Sequence, residues 1–267
     1  MSRIKTTLDA LQSAGKKALI PYITGGDPKP EWTEGLMHSL VEAGADIIEI
    51  GVPFSDPMAD GPVIQLACER ALAHDTSLSD IFSIVESFRK KDKNTPVVLM
   101  GYLNPIEMMG YEIFAARAAA AKVDGVLIVD LPPEDADKLV PHLKVAGLDA
   151  IFLIAPTTTD ERIASICQHS SGYVYYVSVK GVTGSASLNV EDVAEKVQTI
   201  KSIHDIPVGV GFGIRDAASA ASVAKTSDGV IVGSVLVNLI ADNQDDLSAI
   251  KQGLHDTLSS MRQAMDA

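Results

Sequence analysis

The chain has 267 residues, 46% hydrophobic and 21% charged, enough for a substantial core and close to the roughly 250 residues of an eightfold β/α barrel. With 35 acidic against 22 basic residues its net charge is −13, and no basic stripe is present to neutralise a nucleic-acid backbone. No apolar run approaches the ~18 residues of a membrane span, and MSRIKTTLDALQSAGKK lacks a secretory core, so a cytoplasmic location is expected.

In chain order, Ile4, Leu8 and Leu11 put an apolar face on a leading helix over residues 4–14, expected to plug the barrel bottom. Eight short apolar runs follow, at 18–23, 47–52, 97–100, 125–129, 150–154, 173–177, 208–211 and 229–232. Each precedes a segment of helical periodicity, the pattern of a parallel sheet covered by helices. The reading is an α/β fold: a single (β/α)8 TIM barrel with an extra N-terminal helix, residues 1–267 forming one domain because no linker divides them. An open doubly wound sheet lacks its Gly-x-Gly-x-x-Gly turn; Gly209-Val-Gly-Phe-Gly213 comes late and is misspaced. Three strands share an echo of acid, apolar run and functional residue: Asp46 to Glu49, Asp124 to Asp130 and Asp228 to Ser234. Cys68 and Cys167 lack metal-ligand spacing and read as buried thiols, and no metal site is expected.

A β/α barrel keeps its chemistry at the C-terminal strand ends, and all six histidines fall elsewhere on this reading. Carboxylates remain. Glu49 ends the second strand among Ile47, Ile48, Ile50 and Val52, and alternation turns it inward with Ile47 and Gly51. A carboxylate so placed is either a proton-transfer group or half of a structural ion pair. The proline-rich loop from Pro53 to Pro62 carries Asp56 and Asp60, and reads equally as a rigid holder of a functional group or as a surface turn opening the helix over 63–73. Gly211-Phe-Gly213 after strand seven and Gly233-Ser234 after strand eight fit a phosphate cradle of backbone amides, against the plainer reading of a glycine-serine helix cap. The small-residue loop over 180–187 reads as a lid or as an ordinary connection.

Glu49-Ile-Gly-Val-Pro-Phe-Ser-Asp-Pro-Met-Ala-Asp-Gly-Pro62, with Gly181-Val-Thr-Gly184 and Gly211-Phe-Gly-Ile214, resembles the tryptophan synthase α-subunit family. Tyr22-Ile-Thr-Gly-Gly-Asp27, Gly101-Tyr-Leu-Asn-Pro105 and Asp130-Leu-Pro-Pro133 extend the resemblance over the whole chain. It implies a lyase of tryptophan biosynthesis that splits indole-3-glycerol phosphate into indole and glyceraldehyde 3-phosphate by a retro-aldol step. By the same resemblance Glu49 transfers protons, and Asp60 accepts the indole N–H and stays ionised in a polar loop. Tyr22, Met100, Tyr102, Leu127, Val129, Leu153, Tyr175 and Phe212 would line the indole pocket. Thr183 would close onto Asp60, while Gly184, Gly213, Gly233 and Ser234 would hold phosphate. Val179-Lys180 departs from members that carry arginine before the lid motif. The family implies no cofactor in this chain and a β-subunit partner carrying pyridoxal phosphate, in an α2β2 tetramer, with Asp56 as the nominated contact or else a solvated turn residue. The competing functions are a sugar-phosphate isomerase sharing the glycines, and a regulatory subunit that binds phosphorylated ligand without turnover.

Overall fold

Parallel strands covered on both faces need apolar side chains at nearly every position, and the runs above supply them. The computed structural model describes residues 2–178, 190–211 and 213–267. Its strands are β1 Ala18–Thr24, β2 Ile48–Gly51, β3 Val97–Gly101, β4 Gly125–Ile128, β5 Asp149–Ile151, β6 Leu153–Ile154, β7 Val174–Val177, β8 Val208–Gly211 and β9 Gly229–Val232. They pair in the order β5-β4-β3-β2-β1-β9-β8-β7-β6, every pair parallel. The helices are α1 Arg3–Ser13, α2 Pro30–Glu42, α3 Pro62–Leu72, α4 Leu78–Arg89, α5 Leu103–Met109, α6 Tyr111–Ala120, α7 Val140–Ala146, α8 Asp160–His169, α9 Val190–Ile203, α10 Ala217–Ala224, α11 Ser234–Asp242 and α12 Leu247–Asp266.

Among the described residues nine strands appear where eight runs were expected, because the fifth run divides at Phe152. Its first half pairs only with β4 and its second only with β7, as the stagger of a tilted barrel requires. Side-chain alternation continues through the break: Ile151 and Leu153 belong to the inner cluster and Phe152 to the outer one. The two ends of the sheet are therefore neighbours in sequence, and the barrel closes through them.

The leading helix lies where its apolar face predicts. Ile4 and Leu8, 0% and 7% exposed, pack beneath Ala18, Ile20 and Ile47 in the barrel interior. Burial on that scale contributes about 1.5–3 kcal/mol per side chain. Gly125 and Gly172 leave room for the plug, since a Cβ there would stand 2.9 and 3.1 Å from Ile4.

The acids that open the three echoing segments share one structural task at the opposite end from the mouth. Asp46 accepts the backbone N–H of Leu19 at 2.8 Å, Asp124 that of Val97 at 2.8 Å, and Asp228 that of Val208 at 2.9 Å. In return each aspartate's own N–H donates to the carbonyl of the same residue, at 2.9 Å in all three cases. Cations neutralise each carboxylate: Arg262 at 3.0 Å on Asp46, Arg89 at 2.7 Å and Arg3 on Asp124, Lys201 at 2.7 Å on Asp228. The trailing residues of the echo, Glu49, Asp130 and Ser234, stand at the mouth.

Candidate active site

Glu49 sits on β2 with its neighbours Ile48 and Ile50 packed outward against helices and Ile47 inward. Its side chain is fully buried, beside Tyr22 of β1 and Val98 of β3 in the ladder. Oε1 accepts a 2.5 Å hydrogen bond from the Tyr173 hydroxyl, and Oε2 has no partner among the described residues. Burial pushes the carboxyl up to about 7 and the Tyr173 bond pulls it partly back. No cation contacts it among the described residues. The two protonation states of this acid are thus balanced near neutrality.

Asp60 lies part-buried in the loop ahead of α3. The Tyr102 hydroxyl donates to Oδ2 at 2.8 Å and itself accepts the N–H of Ala59 at 3.0 Å. Phe54 stacks on the Tyr102 ring, 5.2 Å between centroids. Burial raises the Asp60 carboxyl above the ordinary aspartate value, and the Tyr102 bond opposes that rise.

Between the two acids the barrel mouth is apolar and aromatic. Leu127 is fully buried, Tyr22, Tyr102 and Tyr175 nearly so, and Met100, Val129 and Leu153 are half-buried above them. Tyr22 and Tyr175 each lie within electrostatic reach of both acids, which, after burial itself, help hold their hydroxyls neutral. Each ring depends on a missing side chain one strand away. A Cβ on Gly51 would stand 2.1 Å from the Tyr22 hydroxyl oxygen, and one on Gly211 equally close to that of Tyr175.

On the β8–β9 side, Gly213 adopts φ +78°, a conformation costly for any other residue. Gly233 precedes α11, whose first residue is Ser234, and no side chain caps that helix. Its first N–H groups lack intrahelical acceptors, a setting favourable to an anion. Thr183, Gly184, Phe212 and Val179-Lys180 lie outside the described residues.

A family profile described as tryptophan synthase alpha chain matches residues 8–266. The chain belongs to the tryptophan synthase alpha chain family. The alpha chain of Marinobacter nauticus is 65% identical over 267 residues, covering 100% of this chain and 99% of that relative. That of Thioalkalivibrio sulfidiphilus is 59% identical over 266 residues, covering 100% of both. Among solved structures, tryptophan synthase subunit alpha from Legionella pneumophila superposes with a TM-score of 0.92 at 48% identity, over 100% of this chain and 99% of that one.

Seen as a tryptophan synthase alpha chain, the molecule brings together Glu49, Asp60 and the named apolar residues that are described, while Asp56 stands apart, exposed at the loop tip with Ser55 donating to it at 2.5 Å. The histidines fall in or next to helices, none at a strand's C-terminal end. Asp130 binds the N–H of Leu103 at 2.8 Å and so anchors the start of α5. Two contributors escaped the sequence reading. Tyr173 was legible by alternation, two positions before Tyr175 on the inward face. The buried Asp27, which the sequence showed only as the end of the Tyr22–Asp27 motif, is held by Arg70 through two bonds of 2.7 and 2.8 Å and ties the loop after β1 to α3.

Proposed function

We propose that Glu49 and Asp60 carry the chemistry of this chain, with the glycine ends of β8 and β9 holding the phosphate. As a tryptophan synthase alpha chain it is a lyase subunit that cleaves indole-3-glycerol phosphate in tryptophan biosynthesis. The observation that carries the assignment is Glu49: a wholly buried acid at the mouth, poised at about 7, with one oxygen held by Tyr173. Such an acid both gives and takes a proton near neutral pH.

Cleavage requires a proton on indole C3, which makes the ring a leaving group, and loss of the proton from the neighbouring side-chain hydroxyl. Protonated Glu49 supplies the first and, once ionised, accepts the second as the carbon–carbon bond breaks. The bonding pair flows into the ring to restore indole, and the hydroxyl carbon becomes the aldehyde of glyceraldehyde 3-phosphate. Asp60, ionised, accepts the indole N–H and offsets the positive charge that grows on the protonated ring. The Tyr102 bond favours that ionised state. The half-buried layer of Met100, Val129 and Leu153 supports a flat apolar guest, and backbone amides at Gly213, Gly233 and Ser234 suit its phosphate. A lid over 180–187 closing Thr183 onto Asp60, with Gly184 on the phosphate, completes the reading.

Indole is small and apolar, so its direct delivery to a second subunit prevents loss. That partner is a β subunit whose pyridoxal phosphate supplies the condensation of indole with serine, in an α2β2 assembly. Met58 and Met108, 77% and 81% exposed near the mouth, support a docking face there together with Asp56. Docking on the loop that carries Asp60 raises turnover by preorganisation. No helix among the described residues is long and apolar enough to cross a membrane.

The test is indole release from indole-3-glycerol phosphate, with and without the β subunit, for the parent chain, Glu49→Gln and Asp56→Ala. Expected are turnover that the partner stimulates, loss of nearly all turnover in Glu49→Gln, and weaker stimulation of Asp56→Ala. Retained turnover in Glu49→Gln would sink the acid-base role. Undiminished stimulation of Asp56→Ala would remove that residue from the interface.

A further inference from the structure

Asp60 is useful to the reaction only if its carboxylate meets the indole N–H at hydrogen-bond distance, yet it rides on a loop rather than on a strand. The loop must be held to the scaffold. Its own backbone supplies part of the grip: the Asp60 N–H donates to the carbonyl of Pro57 at 3.0 Å, closing a tight turn. Tyr102 grips the carboxylate from the β3 side. What remains is the peptide carbonyl of Asp60, directly ahead of a helix that no side chain caps and that begins with a proline.

Gln65 fills that position. It stands on the first turns of α3, part-buried, and its side-chain amide reaches back to the carbonyl of Asp60 at 2.8 Å. The same nitrogen approaches the carbonyl of Pro57 at 3.5 Å, so one amide spans both ends of the turn. We infer that Gln65 is a positioning residue for the reaction: it staples the Pro57–Asp60 turn to α3 and so fixes the height and direction of the Asp60 carboxylate. The inference rests on the assignment of Asp60 to the indole N–H.

α3 is itself a firm anchor. Ile64, Ala67 and Cys68 on its inner face are buried against Tyr22 and Val237, and Arg70 near its end holds the buried Asp27. A staple to this helix therefore places Asp60 in the same rigid unit as Tyr22 across the pocket. Only a side-chain donor of this length serves, because both targets are carbonyl oxygens. A glutamate would present acceptor to acceptor, and a methionine would offer no donor. Both substitutions keep the length and helix preference of the side chain, so the fold of α3 should survive them.

Turnover of indole-3-glycerol phosphate by the full chain with its β partner tests this, using Gln65→Met and Gln65→Glu alone and each combined with Asp60→Asn. Circular dichroism and thermal unfolding verify that every variant is folded. Misplacing a reacting group by about 1 Å costs up to ~100-fold. Each single variant should accordingly lose about 10- to 100-fold in kcat, with KM within about twofold. In the Asp60→Asn background the same changes should cost less than about twofold more, since the residue that Gln65 positions no longer acts. A single variant with parental kcat would overturn the inference, as would an undiminished further loss in the Asp60→Asn background. Parental turnover in Asp60→Asn alone would instead overturn the role of Asp60, and this inference with it.

Discussion

Replacing Glu49 by Gln removes a buried ionisation and keeps both the volume and an acceptor for the Tyr173 hydroxyl. The carboxyl rises from 4.5 to about 7 on folding, so the native chain binds its proton more tightly than the unfolded one. A raised acid pKa gives stability that is fully present below 4.5 and is lost as pH climbs to about 7. At about 1.36 kcal/mol per pH unit the whole loss is roughly 3 kcal/mol, a large share of the ~5–15 kcal/mol that holds a domain together. Most of it falls above pH 5, so between pH 5 and pH 8.5 the Gln variant should gain about 2–3 kcal/mol on the parent. Urea unfolding of both proteins at those two pH values measures it. A stability difference that is the same at both pH values would refute the argument that Glu49 is held protonated by burial.

Tyr173→Phe removes the bond that lowers the Glu49 carboxyl, so the limb of the kcat/KM–pH profile assigned to Glu49 should move to higher pH; an unmoved limb contradicts the coupling. Gly211→Ala sets a methyl 2.1 Å from the Tyr175 hydroxyl oxygen. The ring must then shift into the pocket, raising KM and costing about 1–3 kcal/mol of stability, both readable by steady-state kinetics and denaturation. Ile4→Ala empties part of the barrel plug and should cost about 2–5 kcal/mol in unfolding experiments while leaving KM within twofold. Gly213→Val, at φ +78°, should weaken indole-3-glycerol phosphate far more than free indole in binding assays.

The barrel was legible because a parallel strand buried on both faces leaves a dense apolar run, and each run lies where a strand forms. The helix at the N-terminus was legible for a different reason, the helical spacing of Ile4 and Leu8 on one face. Glu49 was legible because a charge inside such a run contradicts its surroundings. The tertiary hydrogen bonds were not. Arg70 finds Asp27 across 43 residues, and Tyr173 finds Glu49 across 124, separations at which local pattern carries nothing. The burial of Asp60 was not legible either, because composition describes a loop's own residues, whereas desolvation comes from what packs around it. The split of the fifth strand was equally hidden, since stagger belongs to the closed ring and to no single segment.

The three aspartate pairs at the bottom rim act as alignment marks. A slip of one residue in any of these strands would exchange its inward and outward faces; in β2 it would carry Glu49 out among the helices and an isoleucine into the barrel. By seizing both polar groups of one residue on the neighbouring strand, each aspartate makes that slip cost two hydrogen bonds and a neutralised charge. The marks lie at the end of the barrel away from the mouth, so the register of the strands does not rest on the residues that occupy the mouth. Loops at the mouth can then be rewritten for another substrate without recalibrating the barrel that presents them.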